Sequence, residues 1–598
     1  MTFTWNEKDL NPEQSAAVMY PGSVFLIACP GSGKTRTLTY KIAYELSKLA
    51  SHREFVLAIT YTNRAANEIH DRIEDMGVES NQLWISTIHS FCLEWIVKPY
   101  SIYEPDLANG YSIIDLHDRE VLLEGLCSPY KAYKVSFYDC DYYFTPTGYR
   151  LCCSEVGKHA IINSVLVEYF KYLRKNKLID FEMILGYSHK ILNSNPFIAK
   201  NLSGIFRYIL IDEYQDTKDL QYNIVSSILK AGNGKTSVFI VGDPNQAIYD
   251  SLGGYPIPIA KFREITGLKI DELELSQNYR SSARIIKYFG NFNLNKTRIE
   301  PASEDQAYQS IINYNSEVDR ENLVNEIIRI VKYNVEVLGF SPREVCIIAP
   351  WWVHLASTCR KLSVGMPGYS FDGPGMVPFS RDTDNFWYKV ARIALTEPSP
   401  GMYVRRLRWA KEILHDLDDA GVYMKSLSIK DFLRSSNSIE IAEDDGLTFL
   451  GLFFEKLFEV LAIDFKSFES LAQQHDAFFA SSGRKVAQLK KEGVEAIGDI
   501  SYFRKLFESR TGITVSTIHG VKGAEFDVVI AYGLLDGMVP HFSDANGDAS
   551  AQKMLYVIGS RARKNLYLIS ETGRKRYGNV YYQPTRQLLQ CVFDYDAD

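Results

Sequence analysis

Short continuous apolar runs alternate along this chain with longer stretches in which apolar residues recur at helical spacing. Ser23-Val24-Phe25-Leu26-Ile27-Ala28 is a run of the first kind and predicts a buried strand. A helical pattern follows over residues 36–49. Tyr208-Ile209-Leu210-Ile211 and Glu344-Val345-Cys346-Ile347-Ile348-Ala349 read as further strands. Ile161 to Arg174 and Phe449 to Ile463 have the apolar spacing of helices. The alternation predicts α/β layers built on mainly parallel sheets. A tyrosine-rich run from Tyr133 to Tyr149, with Pro146 and Gly148, reads as a loop or hairpin. Ser435-Ser436-Asn437-Ser438 and Ser481-Ser482-Gly483 read as loops. There is no internal repeat and no low-complexity tract.

Length and composition narrow the class. The chain has 598 residues, enough for about four folding units. With 46% hydrophobic and 23% charged residues it is an ordinary globular composition, not a disordered one. No run approaches the length of a membrane-spanning helix, and Met1 to Leu10 lack a signal-peptide pattern, so a cytoplasmic protein is expected. Nine cysteines without a C-x-x-C pair fit a reducing compartment and ordinary thiols rather than a structural zinc site. Cys140, Cys152 and Cys153 lie close together, but their spacing is wrong for a zinc finger. The net charge of −7 means that any nucleic-acid contact is a local groove, not a global field. The 38 tyrosines fit core packing or base stacking, and composition does not choose between them.

The first chemistry lies after the first strand. Cys29-Pro30-Gly31-Ser32-Gly33-Lys34-Thr35 places a glycine-rich turn between a strand and a helix, the context of a phosphate loop. Gly31, Ser32 and Gly33 let backbone N–H groups turn around phosphates, and the helix N-terminus adds partial positive charge. Lys34 supplies a cation for the terminal phosphates of ATP, and Thr35 a hydroxyl for Mg²⁺. The first motif position is Ala28 rather than glycine. A phosphate loop needs a metal-holding acid on a second strand, and Asp212 and Glu213 follow Ile211 directly. Asp212 is placed to hold Mg²⁺, and Glu213 to orient or deprotonate the attacking water.

Asp212-Glu213-Tyr214-Gln215-Asp216 resembles the UvrD/Rep family of superfamily 1 DNA helicases, and the resemblance runs through nearly the whole chain in motif order. Asn11-Pro12-Glu13-Gln14 resembles an adenine-reading motif, with Gln14 as reader. Ala58 to Ala66 and Ser86-Thr87-Ile88-His89-Ser90-Phe91 resemble motifs that touch single-stranded DNA. Val241 to Tyr249 resembles the coupling motif, and Leu275 to Ser281 the first arginine motif. Thr517 to Phe526 and Tyr556 to Arg563 resemble the two late motifs.

The resemblance implies two RecA-like lobes closing on ATP. Lys34 is on the first lobe, and Arg280 and Arg561 on the second; all three neutralise phosphate charge. An arginine finger contributes about 10³ to 10⁵ in rate in comparable systems. Gln246 would sense the γ-phosphate, and Glu525 would contact the nucleotide. Arg36 and Tyr279 would sandwich the adenine. Arg563 is expected to be a surface or DNA-side charge. Tyr61, Thr62, Asn63, His89 and Tyr249 are the expected DNA contacts.

The chain departs from the family after Tyr249. An aromatic and an arginine are usual there, and this chain has Asp250-Ser251-Leu252-Gly253-Gly254. That puts one base-stacking step and the tightness of ATP–DNA coupling in doubt; Tyr255 is a candidate substitute. Ile558-Gly559 is a smaller departure in the last motif.

The implied organisation is a first lobe over 1–97 and 178–278, with an insertion at 98–177. The second lobe covers 279–380 and 505–598, with a helical insertion at 381–504. The implied activity is ATP-dependent 3′-to-5′ translocation and unwinding on single-stranded DNA and its junctions with duplex. The rival is a DNA-dependent ATPase that senses DNA and licenses a partner nuclease, as in compact anti-phage defence systems of the Gabija type. Thirty-five residues follow Arg563, so no fused nuclease is expected in this stretch.

Overall fold

The computed structural model describes residues 3–373, 385–423, 427–491, 495–507, 512–542, 544, 546–576 and 580–597. It divides into two compact units, residues 1–317 with 522–598, and residues 318–521. This division groups residues 279–317 and 522–598 with the first lobe expected from the sequence.

The first unit is organised around a six-stranded parallel sheet. Its strand order is Ile270–Leu275, Ser23–Ala28, Ser237–Gly242, Phe206–Ile211, Phe55–Thr60 and Leu83–Thr87. Parallel neighbours need crossover connections, and helices supply them on both faces. Alternate residues of Ser23–Ala28 therefore enter two cores. Val24, Leu26 and Ala28 pack with Ala17, Leu38 and Ile42. Phe25 packs on the other face with Tyr214 and Ile224. Val238 and Ile240 share the second core, and Phe239 and Val241 the first. A strand buried on both faces has no solvent side, so its sequence runs apolar without alternation. The same unit holds the parallel strands Ile312–Asn315, Ala562–Ile569 and Phe526–Ala531, in that order.

Between the strands Leu83–Thr87 and Phe206–Ile211 the chain forms a subdomain with its own core of Leu123, Val135, Ile162, Val165, Leu166 and Leu173. The tyrosine-rich run begins in short helical turns, Ser128–Tyr133 and Phe137–Cys140, and ends in an antiparallel hairpin, Tyr142–Thr145 with Gly148–Leu151. The expected amphipathic helix spans His159–Lys175. A buried carboxylate joins the two. Asp180 accepts hydrogen bonds from the Tyr142 hydroxyl at 2.9 Å and the Tyr169 hydroxyl at 2.9 Å, and caps a helix through Met183 N. The thiol nearest to Cys140 is that of Cys127, Sγ to Sγ 3.5 Å, and all nine cysteines are free.

The second unit combines the parallel strands Val345–Ala349, Ile513–Thr517 and Phe371–Asp372 with a helical layer. Its core gathers aromatic side chains around the fully buried Trp387, among them Phe454, Phe458 and Phe465. Two sequence expectations fail here. Ser435 to Asn437 close the helix Ile429–Asn437, and Ser481-Ser482-Gly483 lie inside the helix Glu469–Lys491. Ser436 is buried and donates back to the Phe432 carbonyl, and Ser482 is buried as well. Small polar residues fit where a helix is pressed against its neighbours, and tertiary packing outweighs their loop preference. No helix among the described residues is long and apolar enough to cross a membrane.

Candidate nucleotide and DNA site

The C-terminal ends of the first sheet's strands carry the chemistry, as expected for an open parallel sheet. After Ala28 the chain turns through Gly31 and Gly33, with φ of 68° and 76°, into the helix Lys34–Leu46. Glycine is required at these two positions by more than conformation. A β-carbon on Gly31 would come 2.6 Å from Arg280 Cβ, and one on Gly33 2.6 Å from the Gln14 side-chain nitrogen.

Gln14 is buried and supports the loop directly. Its amide nitrogen donates to the Ser32 carbonyl at 2.8 Å, and its oxygen accepts from Asn11 N at 3.0 Å. Both ends of the expected adenine reader thus hold protein partners. Tyr279 is 43% exposed beside it. Its hydroxyl bonds the Gln277 side chain and accepts from the Asn11 side chain at 2.8 Å. Its backbone N–H donates to the Gly31 carbonyl at 2.9 Å. Arg36 is exposed, with Asp9 at 4.0 Å.

Asp212 and Glu213 stand at the end of the strand Phe206–Ile211. Glu213 has φ 51°, an uncommon left-handed backbone for a non-glycine residue and a frequent mark of functional positions. Its carboxylate faces Lys34 Nζ at 3.4 Å and accepts from the Gln215 amide at 2.5 Å. Burial pushes both carboxyls up. At Asp212 the adjacent Glu213 charge adds to that, and its pKa is raised. At Glu213 Lys34, Lys522, the Gln215 hydrogen bond and Arg561 outweigh burial, and its pKa is lowered. One carboxyl is thereby biased toward ionisation and its neighbour against it. Thr35 and Asp212 offer hydroxyl and carboxylate oxygens only, a donor set that fits a hard cation such as Mg²⁺.

Two arginines converge on this end from separate segments. Arg280 donates to Glu525 at 2.5 Å and to the Ser560 carbonyl at 2.9 Å. Arg561, the last residue of the helix Gly547–Arg561, is 1% exposed. It donates to Gln246 Oε1 at 2.9 Å and to the Ala524 carbonyl at 3.3 Å. Burial first, and then Arg280, lower its pKa to about 9. A guanidinium so enclosed is fixed in one position by its partners. Burial raises the Glu525 pKa, but Arg280, Arg563 and Arg561 overcome it and keep the carboxyl ionised. Arg563, expected at the surface or DNA side, is tied to Asp527 at 2.6 Å and to Glu525 at 3.5 Å.

Gln246 starts the connection toward the other end. Its amide nitrogen donates to Asp243 at 2.8 Å. Its backbone carbonyl accepts from Lys522 Nζ at 2.7 Å. Lys522 also pairs with the buried Asp216 at 2.5 Å and lies 5.2 Å over the Tyr249 ring. Burial raises the Asp216 pKa to about 7 against the opposing pull of Lys522. Lys522 falls within a motif noted in the sequence but was given no role there; its lysine charge in that motif was the available signal.

At the far end Tyr61 and Tyr249 face each other, centroids 5.1 Å apart and planes at 33°. Tyr61 is 42% exposed. Thr62 caps the helix Asn63–Asp75 by accepting from Ala65 N, and Asn63 begins that helix. His89 lies against Phe181, centroids 5.9 Å apart. Burial, and then Lys218, lower its pKa to about 3, so it is a neutral imidazole at physiological pH. Ser251 and Leu252 are exposed. Tyr255, the candidate substitute, is 38% exposed and is anchored through its N–H to the Thr217 carbonyl at 3.0 Å.

Comparison with known proteins places this geometry. Residues 10–265 match the model of the UvrD/REP helicase N-terminal domain, and residues 501–573 that of the UvrD-like helicase C-terminal domain. The chain is 26% identical to the ATP-dependent DNA helicase UvrD1 of Mycobacterium leprae, over 98% of this chain and 85% of the relative. It is 25% identical to the ATP-dependent DNA helicase PcrA of Bacillus subtilis, over 98% of this chain and 86% of the relative. To the ATP-dependent DNA helicase Rep of Buchnera aphidicola the figures are 24%, 97% and 97%.

Proposed function

The chain belongs to the UvrD/Rep family of superfamily 1, ATP-hydrolysing DNA helicases, and from that membership and its own site we propose a motor that moves 3′ to 5′ on single-stranded DNA. The observation that carries the reading is the path through Gln246. Its side chain bonds Arg561 at the nucleotide end, and its carbonyl is held by Lys522, which also lies over Tyr249 at the DNA end.

ATP phosphates entering the loop would draw Lys34 from Glu213 and meet Arg280 and Arg561. Mg²⁺ held by Thr35 and Asp212 would offset charge on the phosphate oxygens. Glu213, kept ionised by its cations, is the base or orienting group for water. Gln246 senses the γ-phosphate through its contact with Arg561. Arg36, Tyr279 and Gln14 are the adenine side, and Glu525 holds Arg280 in line. Tyr61 and Tyr249 stack bases, with Thr62, Asn63 and His89 beside them. The lobes of this reading are 1–97 with 178–278, and 279–380 with 505–598; 98–177 and 381–504 are insertions. None of the relatives named above, and no contact among the described residues, favours the regulatory-subunit reading with a separate nuclease.

Strand displacement on 3′-tailed, 5′-tailed and blunt duplexes tests the reading, with ATP turnover followed in the same reactions and Lys34→Ala as control. Displacement from the 3′ tail alone, lost in the control, is the expected result. DNA-stimulated turnover without displacement on any substrate would overturn the unwinding function, and displacement from the 5′ tail would overturn the polarity.

A further inference from the structure

Ser251 and Leu252 leave the loop after Tyr249 without an aromatic ring or a cation at those positions. Other contacts hold the loop. Asp250, next to Tyr249, pairs with Lys553 Nζ at 3.1 Å. Lys553 lies on the helix Gly547–Arg561, which ends in Arg561. Its side chain is largely covered, at 14% exposure, while that of Asp250 is 38% exposed. Four residues before Asp250, Gln246 accepts from Arg561 at 2.9 Å. The loop is thus attached to one helix at both ends. Lys553 and Arg561 are eight positions apart, a span of about 12 Å along a helix.

The opposite side of the loop is closed by the hairpin of the first insertion. A β-carbon on Gly253, which has φ 89°, would come 2.9 Å from the Tyr143 ring. Leu252 N donates back to the Tyr249 carbonyl at 2.9 Å, closing a tight turn around the stacking tyrosine. Tyr249 is therefore set in a short, tied segment, and the residue beside it grips the helix that carries the arginine finger. A rigid helix passes a displacement at Lys553 to Arg561.

We propose that Asp250 and Lys553 are positioning residues that couple DNA occupancy at Tyr249 to the placement of Arg561. The proposal rests on the motor reading above. Neither residue touches nucleotide or DNA in it. Their effect falls on the stimulation of ATP turnover by DNA, not on turnover itself.

The test compares the full-length chain with Asp250→Ala, Lys553→Ala and the exchanged double variant Asp250→Lys/Lys553→Asp. ATP turnover is measured without DNA and with saturating oligothymidylate, together with KM for ATP and thermal unfolding. Each single variant is expected to lose DNA-stimulated kcat by about two- to fivefold, the range of a partly exposed ion pair. Basal turnover and KM for ATP stay unchanged, and the exchanged pair recovers most of the loss. Wild-type stimulation in the single variants overturns the proposal. So does a parallel fall in basal turnover, or an exchanged pair no better than the singles. A wild-type chain without any DNA stimulation removes the motor reading and this proposal with it. A stimulated wild type with indifferent variants removes the proposal alone.

Discussion

The two ends of the proposed site are built on different principles. At the nucleotide end, charged groups are buried and each has several partners: Arg561 is 1% exposed and bonds Gln246, Ser560, Val557 and Ala524. At the proposed DNA end, Tyr61 is 42% exposed, and the neighbouring loop is tied by a partly exposed ion pair. The phosphoryl end must hold fixed charges where new charge develops, and low dielectric makes that placement effective. The DNA end must release one base and take up the next, which stacking allows without sequence preference. Rigid electrostatics at one end and replaceable contacts at the other are what the proposed stepping motor requires.

The largest expected effect tests the rigid end. Arg561→Ala removes the proposed arginine finger, and ATP turnover with DNA should fall by about 10³-fold or more. A loss under tenfold, measured by phosphate release in a folded variant, would show that the buried guanidinium is structural. Next comes the replaceable end. Tyr249→Ala should weaken single-stranded DNA binding by about 1–3 kcal/mol, or roughly 5- to 150-fold, with KM for ATP little changed. Fluorescence anisotropy of a labelled oligonucleotide checks it, and unchanged affinity would exclude Tyr249 as a platform.

A smaller effect concerns His89. Its pKa falls from the ordinary imidazole range to about 3 in the folded chain. Between those values the unfolded state binds the proton that the native state refuses. Stability therefore is fully present above about pH 6.5 and is lost as pH falls toward 3, at up to about 1.4 kcal/mol per pH unit from this group. Wild type and His89→Asn, melted from pH 7 to pH 5, should diverge, with the variant less sensitive. Parallel curves would mean that the imidazole is free to charge.

Much of this was legible along the chain, for identifiable reasons. Ser23–Ala28 reads as a strand because both its faces are buried, and the glycines beyond it mark a turn that a β-carbon would block. Asp212 and Glu213 follow a strand directly, so adjacency in sequence is adjacency in the site. The serine-rich helix segments were not legible, because local preference points to a loop and only packing reverses it. Lys553 was not legible either. It lies 303 positions from Asp250, and neither belongs to a pattern with a period.

By itself the sequence nominated the residues that would bring chemistry: the phosphate loop, the paired carboxylates, the two arginines and the aromatic positions. Those are properties of residue type and short spacing, set by covalent neighbourhood. Tertiary structure alone decided who holds whom. It placed Lys34 against Glu213, Arg561 against Gln246, Lys522 between Asp216 and Tyr249, and Asp250 on Lys553. Pairings of that kind depend on where strands and helices hundreds of residues apart are packed, and packing responds to burial over the whole unit rather than to any local run of the chain.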